Sequence, residues 1–322
     1  MPAVLVTWPG FEPDGAHTGA RLRAAGYAVR LVPDGAARSA ARLIELLDGA
    51  AAAIVSTDRF DAHVLAAAPH LRVIARVGVG TDSIDLEAAA RHGVAVCTTP
   101  GANTATTADH TLALMLAALR RVPEHDRAVR AGGWERTGPA LAGELEGATV
   151  GLVGYGAIGR AVGRRLGGFG VRVLVCDPWL GDAPDVERVD LEALLEASDV
   201  VSLHAPLTAD TRGLLDRRRL AIMPPHAVLV NTARGGLVDE DALADALERG
   251  ALRAAALDVL AVEPPLNARL LALPNVVLTP HVAGLSERSV REMTRRATDA
   301  VLAVLAGREP AGLVRAPAGT AS

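Results

Sequence analysis

The chain has 322 residues, enough for two domains of ordinary size that each bury a core. Half of the residues are hydrophobic but only 2% are aromatic, so those cores must be aliphatic, built from Val, Leu, Ile and Ala. A formal net charge of −4 and a pI of about 6.1 exclude a bulk attraction to nucleic acid or to an anionic membrane, and the run Arg217, Arg218, Arg219 reads as a solvated helix face.

The opening MPAVLVTW has no basic leader followed by a long apolar stretch, and nowhere do about 18 apolar residues run uninterrupted. A soluble, cytoplasmic protein is therefore expected. Cys97 and Cys176 fall at the ends of predicted strands in different domains, with no Cys or His at ligand spacing. Neither a disulfide nor a metal site is expected.

The first hundred residues alternate short apolar runs with helix-period segments. Strands are predicted at Ala3–Thr7, Ala28–Val32, Ala51–Val55, Val73–Arg76 and Val94–Cys97, and helices at Gly19–Ala25, Arg38–Leu47, Ala62–Ala67 and Asp85–Arg91. Repeated βαβ units imply a parallel sheet with helices on both faces, and ligands of such sheets gather at the C-terminal strand ends. The loop after the fourth strand, Val77 to Asp82, exposes the amides of Gly78, Val79 and Gly80 with few side chains in the way. It could bind a small anion such as a carboxylate, or simply turn a corner.

Thr98-Thr99-Pro100-Gly101 breaks the pattern, and a helix is predicted from about Thr106 to Arg121. This is the expected crossing into a second domain. From Gly147 the alternation restarts, with strands near Thr149, Val171, Asp199, Ala227, Ala254 and Asn275. A final helix, Ser286–Ala306, is expected to return to the first domain, so that two crossings form a hinge. The Pro-, Gly- and Ala-rich stretch Ala311–Ser322 is expected to fray.

The stretch Thr149 to Asp177 organises the second domain. An apolar strand meets a tight turn, Gly154, Gly156 and Gly159, then a helix, then a second apolar strand ending in Asp177. Gly154 permits the sharp turn, Gly156 lets the backbone approach a pyrophosphate, and Gly159 lets the helix lie close on the strand. Asp177 stands eighteen positions after Gly159, close to the spacing of about 20 at which an acid receives a ribose diol and repels a 2′-phosphate. NAD is expected, and NADP disfavoured.

An enzyme that interconverts a carbonyl and an alcohol needs an acid/base at the oxygen, and histidine suits that task near neutral pH. Of the nine histidines, His17, His63, His70, His92, His110 and His125 fall on predicted helices or early loops away from the strand ends, and most of them read as surface or helix-end residues. His281 follows the run Asn275–Thr279, is positioned by Pro280, and precedes the small residues Ala283 and Gly284. It is the best candidate for the acid. His204 also ends a strand, but Pro206 suggests a wall shaped by backbone, and His226 sits in an ordinary turn.

Arg234 ends the strand Val228–Asn231 and is followed by two glycines, so its planar guanidinium can reach a carboxylate. Glu263 lies after Asp258 in an extended segment held by Pro264 and Pro265. Near His281 it would orient the imidazole and favour its charged form. Each residue singly could belong to a surface ion pair.

Taken together, the glycine turn with Asp177, the segment Asn231 to Gly236 followed by Val238-Asp239, Asp258 with Glu263-Pro264, and Thr279-Pro280-His281 closely resemble the D-isomer-specific 2-hydroxyacid dehydrogenases. The resemblance covers nearly the whole chain. It implies an α/β fold of two doubly wound parallel-sheet domains: a flavodoxin-like substrate domain, residues 1–100 completed by 287–322, and an inserted Rossmann NAD-binding domain, residues 101–286. A homodimer joined through the NAD domains is also implied.

By the same resemblance Arg234, Glu263 and His281 occupy the catalytic positions. Gly78, Val79 and Gly80 match the loop that holds a substrate carboxylate, with Ser56 as a further pocket residue. Gly154, Gly156, Ala157, Ile158, Gly159, Arg160, Asp177, Thr232, Ala233, Asp258, Ala283 and Gly284 match the cofactor side, Asp258 at the nicotinamide carboxamide. His204, Pro206 and Thr211 are weaker carry-overs.

The function implied is hydride transfer between NAD(H) and C2 of a small 2-hydroxy or 2-oxo acid. An NAD-binding corepressor or redox sensor of the same fold is one alternative, and a phosphoglycerate dehydrogenase another. Against the latter, Val55 stands where phosphoglycerate dehydrogenases often carry arginine before Ser56-Thr57, Arg59 standing four positions further on, and no appended regulatory domain is expected. Formate-type and phosphite-type enzymes are disfavoured by Glu263 and Val79.

Overall fold

The structure, a computed structural model, describes residues 1–32, 38–137, 141–181, 183 and 186–315. The chain divides into two compact units, Met1–Asn103 with Leu285–Ser322, and Thr104–Gly284.

Unit 1 is built on β1 (Ala3–Val6), β2 (Ala28–Leu31), β3 (Ala50–Val55), β4 (Val73–Arg76) and β5 (Ala95–Cys97). They pair in parallel in the order β5-β4-β3-β1-β2, the flavodoxin-like arrangement. β1 and β3 are buried along their whole length, as strands covered on both faces must be. The intervening helices are α1 (Gly19–Ala24), α2 (Ala40–Leu47), α3 (Ala62–Ala66) and α4 (Leu86–Arg91). Ser39, Asp61 and Asp85 cap the last three by accepting from the amides of Arg42, Val64 and Ala88. The Ser39 cap also explains why α2 begins at Ala40 and not at Arg38.

Unit 2 opens with α5 (Thr104–Leu119) and α6 (Val122–Arg130). Arg121, in the left-handed region at φ 53, turns the chain between them, and Pro123 opens the second helix, which had no expectation in the sequence. A seven-stranded sheet follows: β6 (Thr149–Val153), β7 (Arg172–Cys176), β8 (Glu187–Arg188), β9 (Val200–Leu203), β10 (Val228–Asn231), β11 (Ala254–Leu257) and β12 (Val276–Leu278). All pair in parallel, in the order β12-β11-β10-β9-β6-β7-β8. This is the Rossmann arrangement, and its order reverses between β6 and β9, which places the ligand crevice of such a sheet at the C-terminal ends of those two strands.

α7 (Ala157–Leu166), α8 (Leu191–Ala197), α9 (Arg217–Ile222), α10 (Glu240–Glu248) and α11 (Ala268–Ala272) complete the unit. One core layer joins Leu194, Leu195, Leu203, Leu220, Leu243 and Leu247, and the other Leu112, Met115, Leu152, Val162, Leu166 and Val230. The aliphatic character expected from composition is evident in both.

The chain then re-enters unit 1 as α12 (Glu287–Leu305), started by a reciprocal cap between Ser286 and Ser289. Met293, Ala297, Ala300, Val301 and Leu305 pack onto Val4, Val6, Ile54 and Val73. Beyond it β13 (Leu313–Val314) runs antiparallel to β5, pairing with Cys97 and Val96. Fraying was expected from Ala311 onward, so this pairing corrects the expectation for Leu313 and Val314, while residues 316–322 lie outside those described. No helix among the described residues is long and apolar enough to cross a membrane. Cys97 and Cys176 are free thiols, and burial pushes Cys97 up to about 11.

Candidate active site

The glycine turn after β6 is shaped by close backbone approaches. Gly154 has φ 94, and a Cβ there would stand 2.7 Å from the Ala205 amide nitrogen, so the strand end at His204–Ala205 can lie against the turn only if this residue is glycine. At Gly159 a Cβ would fall 2.3 Å from the Gly154 carbonyl oxygen. Gly156, the N-cap of α7, is different: a Cβ there would meet nothing within 4 Å. Open space before the N-terminus of a ten-residue helix fits a dinucleotide pyrophosphate, since the first amides of α7 face it with the positive end of the helix dipole.

Ala157 and Arg160 are exposed on that first turn and Ile158 is partly buried. The Arg160 guanidinium lies 5.4 Å from the centre of the Tyr155 ring. Asp177, just past β7, accepts from the Tyr155 amide at 2.7 Å and from the Trp179 amide at 2.8 Å. Those two donors fix the carboxylate beside the turn.

At the end of β9 the His204 Nε2 is 3.0 Å from the Ser202 hydroxyl. Burial pushes this imidazole down to about 4, so it is neutral at pH 7 and unsuited to delivering a proton. The following loop is closed by Thr211, whose hydroxyl donates to the Pro206 carbonyl at 2.7 Å and accepts from the Thr208 amide at 2.8 Å.

Past β10, the buried Asn231 side chain forms the turn that aims Arg234: its Oδ1 accepts from the Ala233 amide at 3.0 Å and its Nδ2 donates to the Arg234 carbonyl at 2.9 Å. Arg234 in turn donates to the Ala233 carbonyl at 2.6 Å. Gly235 must lack a side chain, because a Cβ would sit 1.9 Å from the Leu260 carbonyl carbon. That contact brings the 260–263 segment against the arginine turn. Thr232 pairs with Thr111 of α5 at 2.9 Å, and Thr111 donates onward to the Thr107 carbonyl.

Asp258, 1% exposed at the end of β11, organises the last loop. Its Oδ1 accepts from the Thr279 hydroxyl at 2.6 Å and the Val282 amide at 2.9 Å, its Oδ2 from the Ala283 amide at 2.9 Å, and its carbonyl from the His281 amide at 2.8 Å. So wrapped, the loop holds His281 at φ 55, a left-handed conformation that histidine adopts at a cost of about 1–3 kcal/mol. The His281 Nδ1 meets Glu263 Oε2 at 2.8 Å, while Glu263 Oε1 accepts from the Leu260 amide at 3.1 Å. Burial alone raises the Glu263 carboxyl. The hydrogen bond and charge of His281, the Leu260 amide and the Arg234 charge outweigh it and leave the group below its ordinary value of 4.5.

Unit 1 carries the remaining candidates. In the loop after β4, Gly78 takes φ 129 and its amide donates to the Thr99 hydroxyl at 3.0 Å, so it is the exposed Val79 and the half-buried Gly80 that present the loop. Ser56 stands half-buried past β3, and Val55 before it is fully buried. Among the described residues no group of three or more His, Cys, Asp or Glu could hold a metal ion.

His110 was expected to lie away from the strand ends, and the structure corrects that. It projects from α5 to Thr279, Nε2 to Oγ1 3.1 Å, with Asp258 Oδ1 at 3.5 Å. The available signal was a polar triplet, Thr107, His110 and Thr111, at i, i+3 and i+4 on one face of the helix. His226, by contrast, pairs with Asp199 at 2.8 Å, and Asp199 also receives the Thr149 amide at the opening of β6.

Residues 112–283 match the family model described as the D-isomer specific 2-hydroxyacid dehydrogenase NAD-binding domain. The chain is 43% identical over 271 residues to a glyoxylate reductase from Thermofilum pendens, covering 80% of this chain and 79% of that protein. It is 42% identical over 257 residues to the D-3-phosphoglycerate dehydrogenase of Mycobacterium bovis, covering 78% of this chain but 48% of that one, so the chain spans about half the length of such relatives. An NADPH-dependent glyoxylate/hydroxypyruvate reductase from Sinorhizobium meliloti, solved with NADP and malonate, superposes with a TM-score of 0.86 at 31% identity, covering 98% of this chain and 99% of that one. The chain belongs to the D-isomer-specific 2-hydroxyacid dehydrogenase family.

Proposed function

We propose that the protein is an NAD-dependent 2-oxoacid reductase and D-2-hydroxyacid dehydrogenase, with His281 as its acid/base. The observation that carries this reading is the 2.8 Å contact between His281 Nδ1 and Glu263, on a loop wrapped around Asp258 at the strand ends of a nucleotide-binding sheet. A bound NADH would supply the hydride. Glu263 keeps its charge at neutral pH and accepts a hydrogen bond from Nδ1–H, which leaves Nε2 as the nitrogen that gives a proton to the carbonyl oxygen at C2 or recovers it in reverse. Arg234 would hold the substrate carboxylate and polarise the carbonyl. In unit 1, the amides of Val79 and Gly80 offer a second seat for a small anion.

The fixed Asp177 carboxylate supports NAD over NADP, because a 2′-phosphate brought to the end of β7 would meet a negative charge. A small 2-oxo acid is favoured over a phosphorylated one by the buried Val55 and the exposed Arg59. A homodimer joined through unit 2 is consistent with α6, none of whose residues is buried, and with exposed Val122, Val129 and Trp134.

The test is NADH oxidation across glyoxylate, hydroxypyruvate, pyruvate, branched 2-oxo acids and phosphohydroxypyruvate, repeated with NADPH. Turnover of a small 2-oxo acid with NADH is expected. Dinucleotide binding without turnover of any of them would instead favour a non-enzymatic redox sensor.

A further inference from the structure

α5 contributes a side chain to this site that neither the glycine turn nor the strand-end motifs indicate. The Thr279 hydroxyl has a single proton, and it donates that proton to Asp258 Oδ1 at 2.6 Å. With that proton spent, the 3.1 Å contact between Thr279 Oγ1 and His110 Nε2 requires the imidazole to be the donor. At 3.5 Å, the direct approach of His110 Nε2 to Asp258 Oδ1 is too long to replace that relay. His110 therefore begins a directed chain that runs through Thr279 to Asp258. From Asp258 the same residue holds the amides of His281, Val282 and Ala283. Asp258 is buried, and Thr279 and His110 are both half-buried, so the whole chain is largely shielded from solvent.

We propose that His110 is a positioning residue: by donating through Thr279 it locks the 279–283 loop onto Asp258 and so fixes both the aim of His281 and the seat of the nicotinamide end of the cofactor. This inference rests on the dinucleotide reading of the site, but its geometric core does not. The left-handed His281 backbone has no intrinsic preference for its conformation and depends on the bonds that Asp258 makes. A loosened Thr279 removes one of the two donors on Oδ1 and frees the loop at the end that leads into His281.

Two measurements test it. In the ligand-free protein, long-range ¹H–¹⁵N spectra of the imidazoles should show His110 as the Nε2–H tautomer; an Nδ1–H tautomer would overturn the relay whether or not the protein binds a dinucleotide. With ligands, H110A is expected to lower kcat and NADH affinity about threefold each, together the loss of one relayed hydrogen bond, while ADP-ribose, which lacks nicotinamide, binds as in the unaltered protein. H110Q, which restores an N–H near the Nε2 position, should recover most of both. In a T279V background H110A should add nothing further. An H110A protein with unchanged kcat and NADH affinity, or an undiminished H110A penalty in T279V, would refute the proposal. Failure of the unaltered protein to bind NADH would refute the dinucleotide reading instead, with the tautomer still deciding the relay.

Discussion

Replacing Glu263 with Gln isolates what the carboxylate does for His281. Gln has the same length but only one acceptor oxygen, whereas Glu263 serves two donors, the Leu260 amide at 3.1 Å and His281 Nδ1 at 2.8 Å. In either flip of the amide, one donor faces an NH₂ group and its bond is lost. A hydrogen bond to a fully buried charge contributes about 1.5–3 kcal/mol, and an exposed ion pair about 0.2–1. His281 and Glu263 are 38% and 36% exposed, which places this pair between the two, at about 1–1.5 kcal/mol. That corresponds to about a tenfold fall in kcat, since about 1.4 kcal/mol is one decade.

Binding of NADH should be unaffected by E263Q, because Glu263 acts through the imidazole. The pH dependence carries a sign as well. The folded protein holds the Glu263 carboxyl below 4.5, so its contribution to stability is present above that pH and is lost as pH falls through the lowered value. The difference in Tm between the parent and E263Q should be full at pH 7 and close below about pH 4.5. Steady-state NADH oxidation with the preferred 2-oxo acid, and thermal melts across pH 3–7, read both quantities. A variant with parental kcat, or a Tm gap that persists undiminished in acid, would refute the reasoning.

Three further expectations concern the nucleotide end. Gly159→Ala should destabilise by about 1–3 kcal/mol, since its Cβ meets backbone 2.3 Å away, whereas Gly156→Ala should leave Tm unchanged and weaken dinucleotide binding at least about tenfold; thermal melts and NADH fluorescence titration separate the two. His204, held down to about 4 against an ordinary value of 6.5, binds fewer protons folded than unfolded between those values. Stability should therefore be full above pH 6.5 and fall by up to about 3 kcal/mol on acidification to pH 4, and denaturant titrations of H204Q should show that slope reduced. Asp177→Asn keeps the side-chain shape but removes the charge, so the NADH-over-NADPH ratio of kcat/KM should drop about tenfold or more; an unchanged ratio would remove Asp177 as the discriminating group.

The two sheets were legible because their longer strands are short aliphatic runs and several helix starts carry a side-chain cap, such as Ser39 or Asp85. Gly154 and Gly159 were legible for a similar reason: the requirement is local, set by backbone packed around the turn. Glu263 and His281 were named by motif, but their separation of 2.8 Å depends on Gly235 admitting the Leu260 backbone and on Asp258 gathering the 281–283 amides, neither of which is written in spacing. His110 was misread because a helical residue's role depends on which strands its face lies over, here the ends of β10, β11 and β12. β8 and β13 are two residues each, and their pairing with β7 and β5 has no periodicity to announce it. No residue of α6 is buried and both of its valines, Val122 and Val129, are exposed, so no core-facing run marked it in the sequence.

The central claim is that the His281 imidazole moves the proton at C2. Its most direct test is kcat for His281→Ala under conditions where NADH binding is measured in the same sample. The expected result is a fall of about 10²–10⁴ with NADH affinity retained. Parental turnover in that variant would contradict the account.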